Sequence, residues 1–195
     1  MIAIIDYDAG NIKSVANALE RLGQTYVLTD DPQTIISADK VILPGVGNAA
    51  AAMASLKAKG LVPVIKGLRR PVLGICVGMQ LMCRSSEEGG TKCMGIFDCD
   101  VRKFESEPDI KVPHMGWNAI SNLDSKLFRG MKGGCHVYFV HSFRPDLCTD
   151  TIATCRHGRS LFSAALKYEN FYGTQFHPEK SGSVGEQILL NFIEL

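Results

Sequence analysis

Residues 72–80 read VLGICVGMQ, an apolar run that leads into a cysteine between two glycines and then into a helical pattern. This is the thiol form of the G-x-S-x-G elbow, a sharp strand-to-helix turn that exposes a nucleophile. Gly74 and Gly78 tolerate the close approach of neighbouring backbone. The pattern predicts a strand over Val72–Cys76, Cys76 as the nucleophile, and the Val77 N–H as a donor to an oxyanion. By itself, the stretch also fits a buried cysteine at an ordinary strand-to-helix junction.

The part of the chain before this elbow alternates short apolar runs with helical patterns. Such alternation is typical of a parallel, doubly wound α/β sheet. Asp31-Pro32 has the composition of a helix start. The predicted strands are Ile2–Asp6, Tyr26–Thr29 and Lys40–Leu43, and the predicted helices are Asn11–Leu22, Asn48–Lys59 and Leu61–Leu68.

After about Glu88, short β-like runs dominate, separated by turns that contain Asn, Gly or Asp. They predict an antiparallel extension that makes the sheet mixed, within a single domain over residues 1–195. The stretch Arg84–Gly90 is predicted to be a polar loop. The predicted strands are Val101–Phe104, Val137–His141, Ile152–Arg156, Ser163–Tyr168 and Phe171–Phe176, followed by a helix at about Val184–Ile193.

Two further segments carry polar groups suited to catalysis. Phe176-His177-Pro178-Glu179 closes a predicted strand, and His177 and Glu179 are two residues apart, so they point the same way in an extended chain. A histidine oriented by a carboxylate is the usual base for an activated cysteine. Pro44-Gly45-Val46-Gly47 follows the strand Lys40–Leu43 and could present a backbone N–H to an oxyanion. Each segment alone also fits an ordinary loop.

Composition excludes several other classes of protein. The 195 residues include 21 basic and 20 acidic side chains, with no basic cluster of the kind that nucleic-acid or anionic-membrane binders show. The apolar N-terminus, MIAIID, predicts a buried strand and not a signal peptide, and the longest uncharged stretch is too short for a membrane span. The seven cysteines form no CxxC pair, so neither a disulfide framework nor a metal site is expected. We infer a soluble, cytoplasmic protein.

The elbow and the segments at residues 44–47 and 176–179 resemble those of a known family, the triad or class I glutamine amidotransferases. The resemblance covers essentially the whole chain and rests on GICVGMQ (residues 74–80), FHPEKSG (residues 176–182) and PGVG (residues 44–47). Three more segments are similar to the glutaminase subunits of imidazole glycerol phosphate synthase. They are DYDAGN (residues 6–11), PHMGWN (residues 113–118) and YFVHSF (residues 138–143).

The resemblance implies a flavodoxin-like α/β fold that hydrolyses glutamine to glutamate and ammonia without a metal or organic cofactor. It assigns Cys76 as nucleophile, His177 as general base and then acid, and Glu179 as the residue that orients His177. It also implies a (βα)8-barrel cyclase partner that uses the ammonia to make imidazole glycerol phosphate and aminoimidazole carboxamide ribotide in histidine biosynthesis. By the same resemblance, the oxyanion hole comprises Gly45, Val46, Gly47 and Val77, the glutamine-binding residues are Gln80, Glu88, His141, Ser142 and Phe143, and the partner-facing residues are Asn11, Trp117, Tyr138 and Lys180.

The sequence also departs from the family pattern and leaves alternatives open. Asp8 stands where glycine is usual, Asn48 follows PGVG, and Phe143 replaces a frequent tyrosine, so the fine geometry of the loops is not predicted. Two other functions are compatible with the elbow and its family: a glutaminase for a different synthase, such as the anthranilate or pyridoxal phosphate type, and a catalytically silent regulatory subunit. The segments PHMGWN and YFVHSF argue against the first, and the intact set of Cys76, His177 and Glu179 argues against the second.

Overall fold

Two β-sheets and six helices make up the part of the chain that the structure, a computed structural model, describes: residues 1–8 and 12–195. Asn11, which the resemblance places at the partner interface, lies outside these residues. The strands are β1 (Ile2–Ile5), β2 (Tyr26–Thr29), β3 (Lys40–Leu43), β4 (Val72–Ile75), β5 (Ser85–Ser86), β6 (Thr91–Lys92), β7 (Asp100–Lys103), β8 (His114–Ser121), β9 (Cys135–His141), β10 (Phe143–Pro145), β11 (Thr151–His157), β12 (Ser160–Tyr168) and β13 (Phe171–Thr174). The helices are α1 (Ile12–Arg21), α2 (Pro32–Ser37), α3 (Ala49–Ala58), α4 (Leu61–Gly67), α5 (Val77–Met82) and α6 (Gly182–Ile193).

The large sheet has nine strands in the order β2-β1-β3-β4-β13-β12-β11-β8-β9. The first five strands are parallel to their neighbours, and the remaining strands pair antiparallel. The chain passes from β1 to β2 in one direction across the sheet, and from β2 to β3 and then β4 in the opposite direction. Because such crossovers are right-handed, the connecting helices cover both faces. This confirms the predicted doubly wound, mixed α/β fold.

The parallel strands form the centre of the core. All residues of β1, β4 and β13 are buried, as expected for strands covered by helices on both faces. Strands of this kind consist largely of consecutive apolar residues, and this pattern is why they could be predicted from the sequence. The predicted helix start at Asp31 is also confirmed, because its carboxylate accepts a hydrogen bond from the Thr34 N–H at 2.8 Å.

Asn48, one of the departures from the family pattern, has a clear structural role. It caps helix α3, and its Oδ1 atom accepts hydrogen bonds from the Ala50 N–H at 2.9 Å and the Ala51 N–H at 3.1 Å. The loop that follows β3 is therefore joined directly to a well-capped helix. A short asparagine side chain at this position fixes where the loop ends.

The sequence missed a second sheet and one strand of the first. Strands β10, β7, β5 and β6 form a four-stranded sheet beside the large one. The prediction of a polar loop over Arg84–Gly90 is thus wrong in part, since Ser85–Ser86 is a strand and Glu88–Gly90 is a 3-10 turn. Strand β8 was not predicted at all. Its residues alternate between exposed and inward-facing positions, but His114, Gly116 and Asn118 make the inward face too polar to be recognised.

Candidate active site

Cys76 lies at the turn between β4 and α5 in a strained backbone conformation, with φ 54° and ψ −112°. Residues other than glycine rarely adopt positive φ, and such strain is found at functional turns. The two neighbouring glycines are required by close packing. A Cβ atom on Gly74 would lie 2.8 Å from the Met79 nitrogen, and one on Gly78 would lie 2.0 Å from the Leu43 carbonyl oxygen. The predicted strand-to-helix elbow is therefore present, with Cys76 at its turn.

Strand pairing explains how His177 reaches Cys76. Strand β13 runs parallel to β4 with Thr174 opposite Ile75, so the segments that follow these two strands leave the sheet side by side. The Cys76 N–H donates to the Thr174 carbonyl at 2.7 Å and fastens the elbow to the neighbouring strand. Both Cys76 and His177 are buried and line the same cavity. Two residues far apart in sequence thus meet at the carboxyl edge of the sheet.

Glu179 contacts His177 as predicted, although Pro178–Lys180 is a 3-10 turn and not the extended segment from which the contact was predicted. Its Oε1 atom lies 2.8 Å from His177 Nδ1, and both side chains are almost completely buried. The other ring nitrogen, Nε2, has no hydrogen-bond partner among the described residues. Burial lowers the pKa of His177, but the sulfur of Cys76 and the carboxylate of Glu179 outweigh it and raise that pKa to about 10. The geometry is that of a cysteine paired with a protonated imidazole.

The loop Pro44–Gly47 lies on the other side of Cys76, because β3 pairs with β4 opposite β13. Gly45 packs directly against the elbow: a Cβ atom there would lie 2.3 Å from the Gly78 nitrogen. The hydroxyl of Tyr7 donates to the Pro44 carbonyl at 2.6 Å and holds the start of the loop. Burial and the charge of Cys76 raise the pKa of Tyr7 above its usual range, so the phenol stays protonated as a donor.

A cavity of about 310 Å³ opens in front of Cys76. Its lining includes most of the residues that the resemblance assigned to the oxyanion hole and to glutamine, but Gly45 lies behind it, in contact with the elbow. The Val77 N–H makes no hydrogen bond with any described residue. The lining residues are Val46, Gly47, Cys76, Val77, Gln80, Glu88, Pro113, Val140, His141, Ser142, Phe143 and His177.

Two of the lining side chains have structural partners as well. Glu88 accepts a hydrogen bond from the Ala49 N–H at 2.7 Å, so its carboxylate caps helix α3 while it borders the cavity. Gln80 donates both hydrogens of its side-chain amide, one to the Phe143 carbonyl at 2.9 Å and one to Gln175 Oε1 at 2.8 Å. Only the carbonyl oxygen of the Gln80 amide is left to accept a hydrogen bond from a ligand.

Gln175 is a site residue that sequence reasoning missed. It is fully buried, and its Nε2 atom lies 3.6 Å from Cys76 Sγ as a donor to the sulfur. No local pattern could have found it, because β13 ends at Thr174 and Pro178–Lys180 is a 3-10 turn, so Gln175, His177 and Glu179 do not share one extended segment.

Three of the residues predicted to face a partner lie on one surface. Trp117 and Tyr138 are opposite each other on β8 and β9, and their rings contact edge to face at 6.2 Å. Trp117 is 56% exposed and also approaches Gly182, close to the exposed Lys180. The Tyr138 carbonyl accepts a hydrogen bond from the His177 N–H at 2.9 Å, which links this surface to the active site.

No helix among the described residues is long and apolar enough to cross a membrane.

Comparisons with known proteins agree with this geometry. The family model for glutamine amidotransferase class-I matches residues 3–195. Imidazole glycerol phosphate synthase subunit HisH of Bacteroides thetaiotaomicron is 55% identical over 195 residues, covering 100% of this chain and 99% of the relative. The HisH subunit of Yersinia pseudotuberculosis is 44% identical over 196 residues, with the same coverage of both chains.

Solved structures show the same fold at lower identity. A crystal structure of a glutamine amidotransferase superposes with a TM-score of 0.74 at 16% identity, covering 100% of this chain and 98% of the other. A glutamine amidotransferase from Thermotoga maritima superposes with a TM-score of 0.66 at 18% identity, covering 99% of this chain and 82% of the other. At these identities the superpositions speak for the fold alone.

Proposed function

Because this chain belongs to the class-I glutamine amidotransferases and, among them, to the glutaminase subunits of imidazole glycerol phosphate synthase, we propose that Cys76, His177 and Glu179 hydrolyse glutamine. The products are glutamate and ammonia, and the ammonia serves the synthesis of imidazole glycerol phosphate in histidine biosynthesis. The observation that carries the assignment of residues is the buried bond of 2.8 Å between His177 and Glu179, beside a cysteine in an elbow.

In the first half of the reaction, the Cys76 sulfur attacks the side-chain carboxamide of glutamine. A C–S bond forms, and the carbonyl electrons move to the oxygen. His177, protonated at neutral pH, donates its Nε2 proton to the nitrogen, and the C–N bond breaks to release ammonia. The unpartnered Nε2 atom is the ring nitrogen available for this transfer.

In the second half, the neutral imidazole of His177 takes a proton from water. The resulting hydroxide attacks the glutamyl thioester, the C–S bond breaks, and glutamate leaves. Cys76 returns as a thiolate and His177 as an imidazolium, so the resting pair is restored. Glu179 holds the ring through Nδ1, so that Nε2 remains available for proton transfer.

The oxyanion of the intermediate is stabilised by backbone donors on either side of Cys76. The Val77 N–H belongs to the elbow, and a second N–H comes from Val46 or Gly47, the residues of the loop after β3 that line the cavity. Losing one such donor costs roughly 10²–10³ in rate. The position of this loop relative to the elbow therefore decides whether the site is active, and a partner that moves the loop would regulate the reaction.

Recognition of glutamine uses the rest of the cavity wall. The carbonyl oxygen of the Gln80 amide and the carboxylate of Glu88 accept hydrogen bonds from the α-ammonium group, and the backbone of His141, Ser142 and Phe143 contacts the amino-acid end. The ammonia passes to a (βα)8-barrel cyclase that binds over Trp117, Tyr138 and Lys180. The exposed aromatic ring of Trp117 is the kind of anchor that protein interfaces favour.

The decisive experiment separates ammonia production from ammonia use. In the complex with the cyclase, Cys76→Ala is expected to abolish glutamine-dependent product formation by several orders of magnitude. Synthesis from ammonium salt at high pH is expected to continue at close to the wild-type rate, since the cyclase site is untouched. The stability loss is expected to be about 1 kcal/mol, the usual size for a point variant.

The matched control is Cys83→Ala, which removes a buried thiol just after the other end of α5. It should retain glutamine-dependent synthesis. Glutamine-dependent synthesis by Cys76→Ala would refute the mechanism. Loss of both activities in a folded Cys76→Ala protein would assign Cys76 to assembly, and a wild-type complex that uses only ammonia would identify a silent regulatory subunit.

A further inference from the structure

A row of hydrogen bonds connects strand β8 with the wall of the cavity. Asn118 Nδ2 lies 3.1 Å from His114 Nε2, and His114 Nδ1 lies 3.0 Å from His141 Nε2. His141 Nδ1 in turn lies 2.8 Å from the Phe143 carbonyl oxygen. Asn118 and His114 are outside the cavity lining, whereas His141 and Phe143 are part of it. A polar connection therefore runs from the body of the sheet to the substrate pocket.

The direction of every bond in this row is fixed by the groups at its two ends. A carbonyl oxygen only accepts, so His141 carries its proton on Nδ1 and its Nε2 is an acceptor. His114 must then donate from Nδ1, which leaves its Nε2 as the acceptor for Asn118. The Asn118 amide is oriented independently, because its Oδ1 accepts from the Ala119 N–H at 2.8 Å. Both rings are consequently neutral and both carry the proton on Nδ1.

The row continues past Phe143 to the nucleophile. The Phe143 carbonyl also accepts from Gln80, whose second amide hydrogen goes to Gln175 Oε1, and Gln175 Nε2 donates to the Cys76 sulfur. The Phe143 oxygen uses both lone pairs, and the Gln80 amide uses both hydrogens. Asn118 uses both of its hydrogens too, since it donates to the Arg156 carbonyl at 2.9 Å. With no spare donor or acceptor at these junctions, displacing one member leaves another unpaired.

The surroundings keep the two histidines neutral. His114 stacks on His157 at 4.1 Å and on Phe139 at 4.7 Å, and His141 packs against Phe104 at 5.2 Å. Burial is the main cause that lowers the pKa of His114 to about 4 and that of His141 to about 3. A buried polar network that is completely satisfied gives rigidity, whereas a partly satisfied one is costly.

We propose that His114 and Asn118 are positioning residues for the glutaminase reaction, which act through His141 to fix the Phe143 carbonyl and the Gln80 amide at the wall of the glutamine pocket. The inference rests on the proposed function for its kinetic consequence, though not for its geometry. His114 and Asn118 never touch glutamine. Their effect reaches the substrate through His141, because the hydrogen bonds of this row have only one possible direction and fix the Phe143 carbonyl and the Gln80 amide at the glutamine pocket.

The direct test is the tautomer of each ring, read by ¹⁵N NMR on the full chain labelled in its histidines. His114 and His141 are both expected to show the Nδ1–H form at neutral pH, whereas histidines in water favour Nε2–H. Assignment uses His114→Phe, which keeps an aromatic ring in the stack but has no nitrogen. An Nε2–H form at either ring in the wild-type protein would overturn the proposal, whatever the protein catalyses.

Kinetics in the complex with the cyclase test the consequence. His114→Phe is expected to raise KM for glutamine about three- to tenfold, the size of one lost hydrogen bond, with a smaller change in kcat. His114→Asn restores a donor close to the Nδ1 position and should recover part of the loss. The control His136→Phe makes the same change at an exposed histidine of β9 and should leave KM unchanged.

The two hypotheses fail in different ways. A wild-type complex that does not hydrolyse glutamine would refute the proposed function, and the NMR result would still decide the tautomers. A wild-type complex that is active, together with a folded His114→Phe variant of unchanged KM, would refute the positioning role alone. If His114→Phe does not fold, Asn118→Leu provides the second variant, because it removes the donor to His114 at the edge of the network and should raise KM in the same direction.

Discussion

At the scale of single residues, the proposed mechanism depends on the charge that His177 carries before glutamine binds. Burial would normally keep such a ring neutral, as it does for His114 and His141. His177 differs because Glu179 lies at one nitrogen and Cys76 faces the other side of the ring. These two groups raise the pKa of His177 to about 10 in spite of burial. In the proposed mechanism, His177 therefore already carries the proton that it donates to the departing ammonia.

We expect this charge to be visible in an NMR titration of the free chain. His177 should remain protonated through neutral pH and lose its proton near pH 10. A raised pKa in the folded state stabilises folding below about pH 6.5, and this contribution declines as pH rises from there through 10. Glu179→Gln should lower the midpoint, because it removes one of the two negative groups, while Glu186→Gln on the exposed side of α6 should not. A midpoint near 6.5 in the wild-type protein would contradict the ion pair.

At the scale of elements, the candidate active site depends on a close backbone contact between the loop after β3 and helix α5. The loop after β3 and the first turn of α5 approach so closely that neither Gly45 nor Gly78 has room for a Cβ atom. Because of this contact, the position of the loop is set by the elbow and not by side chains that could repack. The proposed oxyanion donors on the two sides of Cys76 therefore lie next to each other in this conformation, and a movement of the loop would separate them.

Substitution of Gly45 tests this arrangement. Gly45→Ala should push the loop away from α5, because the added methyl group would lie 2.3 Å from the Gly78 nitrogen, and glutaminase activity in the complex should fall by about 10²-fold or more. The matched control is Gly67→Ala at the end of α4, where nothing lies within 4 Å. That change should leave activity intact and add a few tenths to about 1 kcal/mol of stability. Equal activity in the two variants would show that the contact is unimportant.

Prediction of elements from the sequence succeeded where a pattern was local and failed where it depended on pairing. The core strands and the elbow were predicted because burial on both faces leaves a continuous apolar run. Strand β8 was missed because its inward positions carry the polar residues His114 and Asn118, whose side chains are partnered in part by residues of other strands, such as His141 and Arg156. Of the four-stranded sheet, only β7 was predicted, as Val101–Phe104, since strands as short as Ser85–Ser86 have too few residues for any periodicity.

The same distinction holds for the candidate site. The spacing of His177 and Glu179 is local, and their contact was predicted and is present. Gln175 and the pair of His114 and His141 were not predicted, because their contacts follow from strand register. His114 lies opposite His141 in the pairing of β8 with β9, a relation between residues 27 positions apart that no single segment reveals.

At the scale of the whole molecule, the chain presents one aromatic surface beside its active site. Trp117 and Met115 are the most exposed large apolar side chains among the described residues, and both project outward from β8. Exposed apolar groups in a cluster mark interaction surfaces more often than isolated ones do. The Tyr138 carbonyl and the His177 N–H join this surface to the catalytic histidine.

Trp117→Ala should therefore weaken binding to the cyclase by about tenfold or more, since aromatic anchors dominate the binding free energy of interfaces. Affinity can be measured by titration calorimetry with the separately purified subunits. The control is Tyr168→Ala, an exposed aromatic residue of β12 at the opposite edge of the sheet from Cys76. An unchanged affinity for Trp117→Ala would remove this face from the interface, and a loss for Tyr168→Ala would place the interface elsewhere.

Strand β8 also constrains how this protein can change over time. Odd positions such as Met115 and Trp117 face outward, and even positions such as His114 and Asn118 face inward. One added or deleted residue would exchange the two sets, because side chains alternate along a strand. Point substitutions can therefore change the outward and inward faces separately, but an insertion or deletion that shifts the register of β8 would disturb both faces. Over His114–Asn118, divergence among related chains should thus proceed by replacement and never by a change in length.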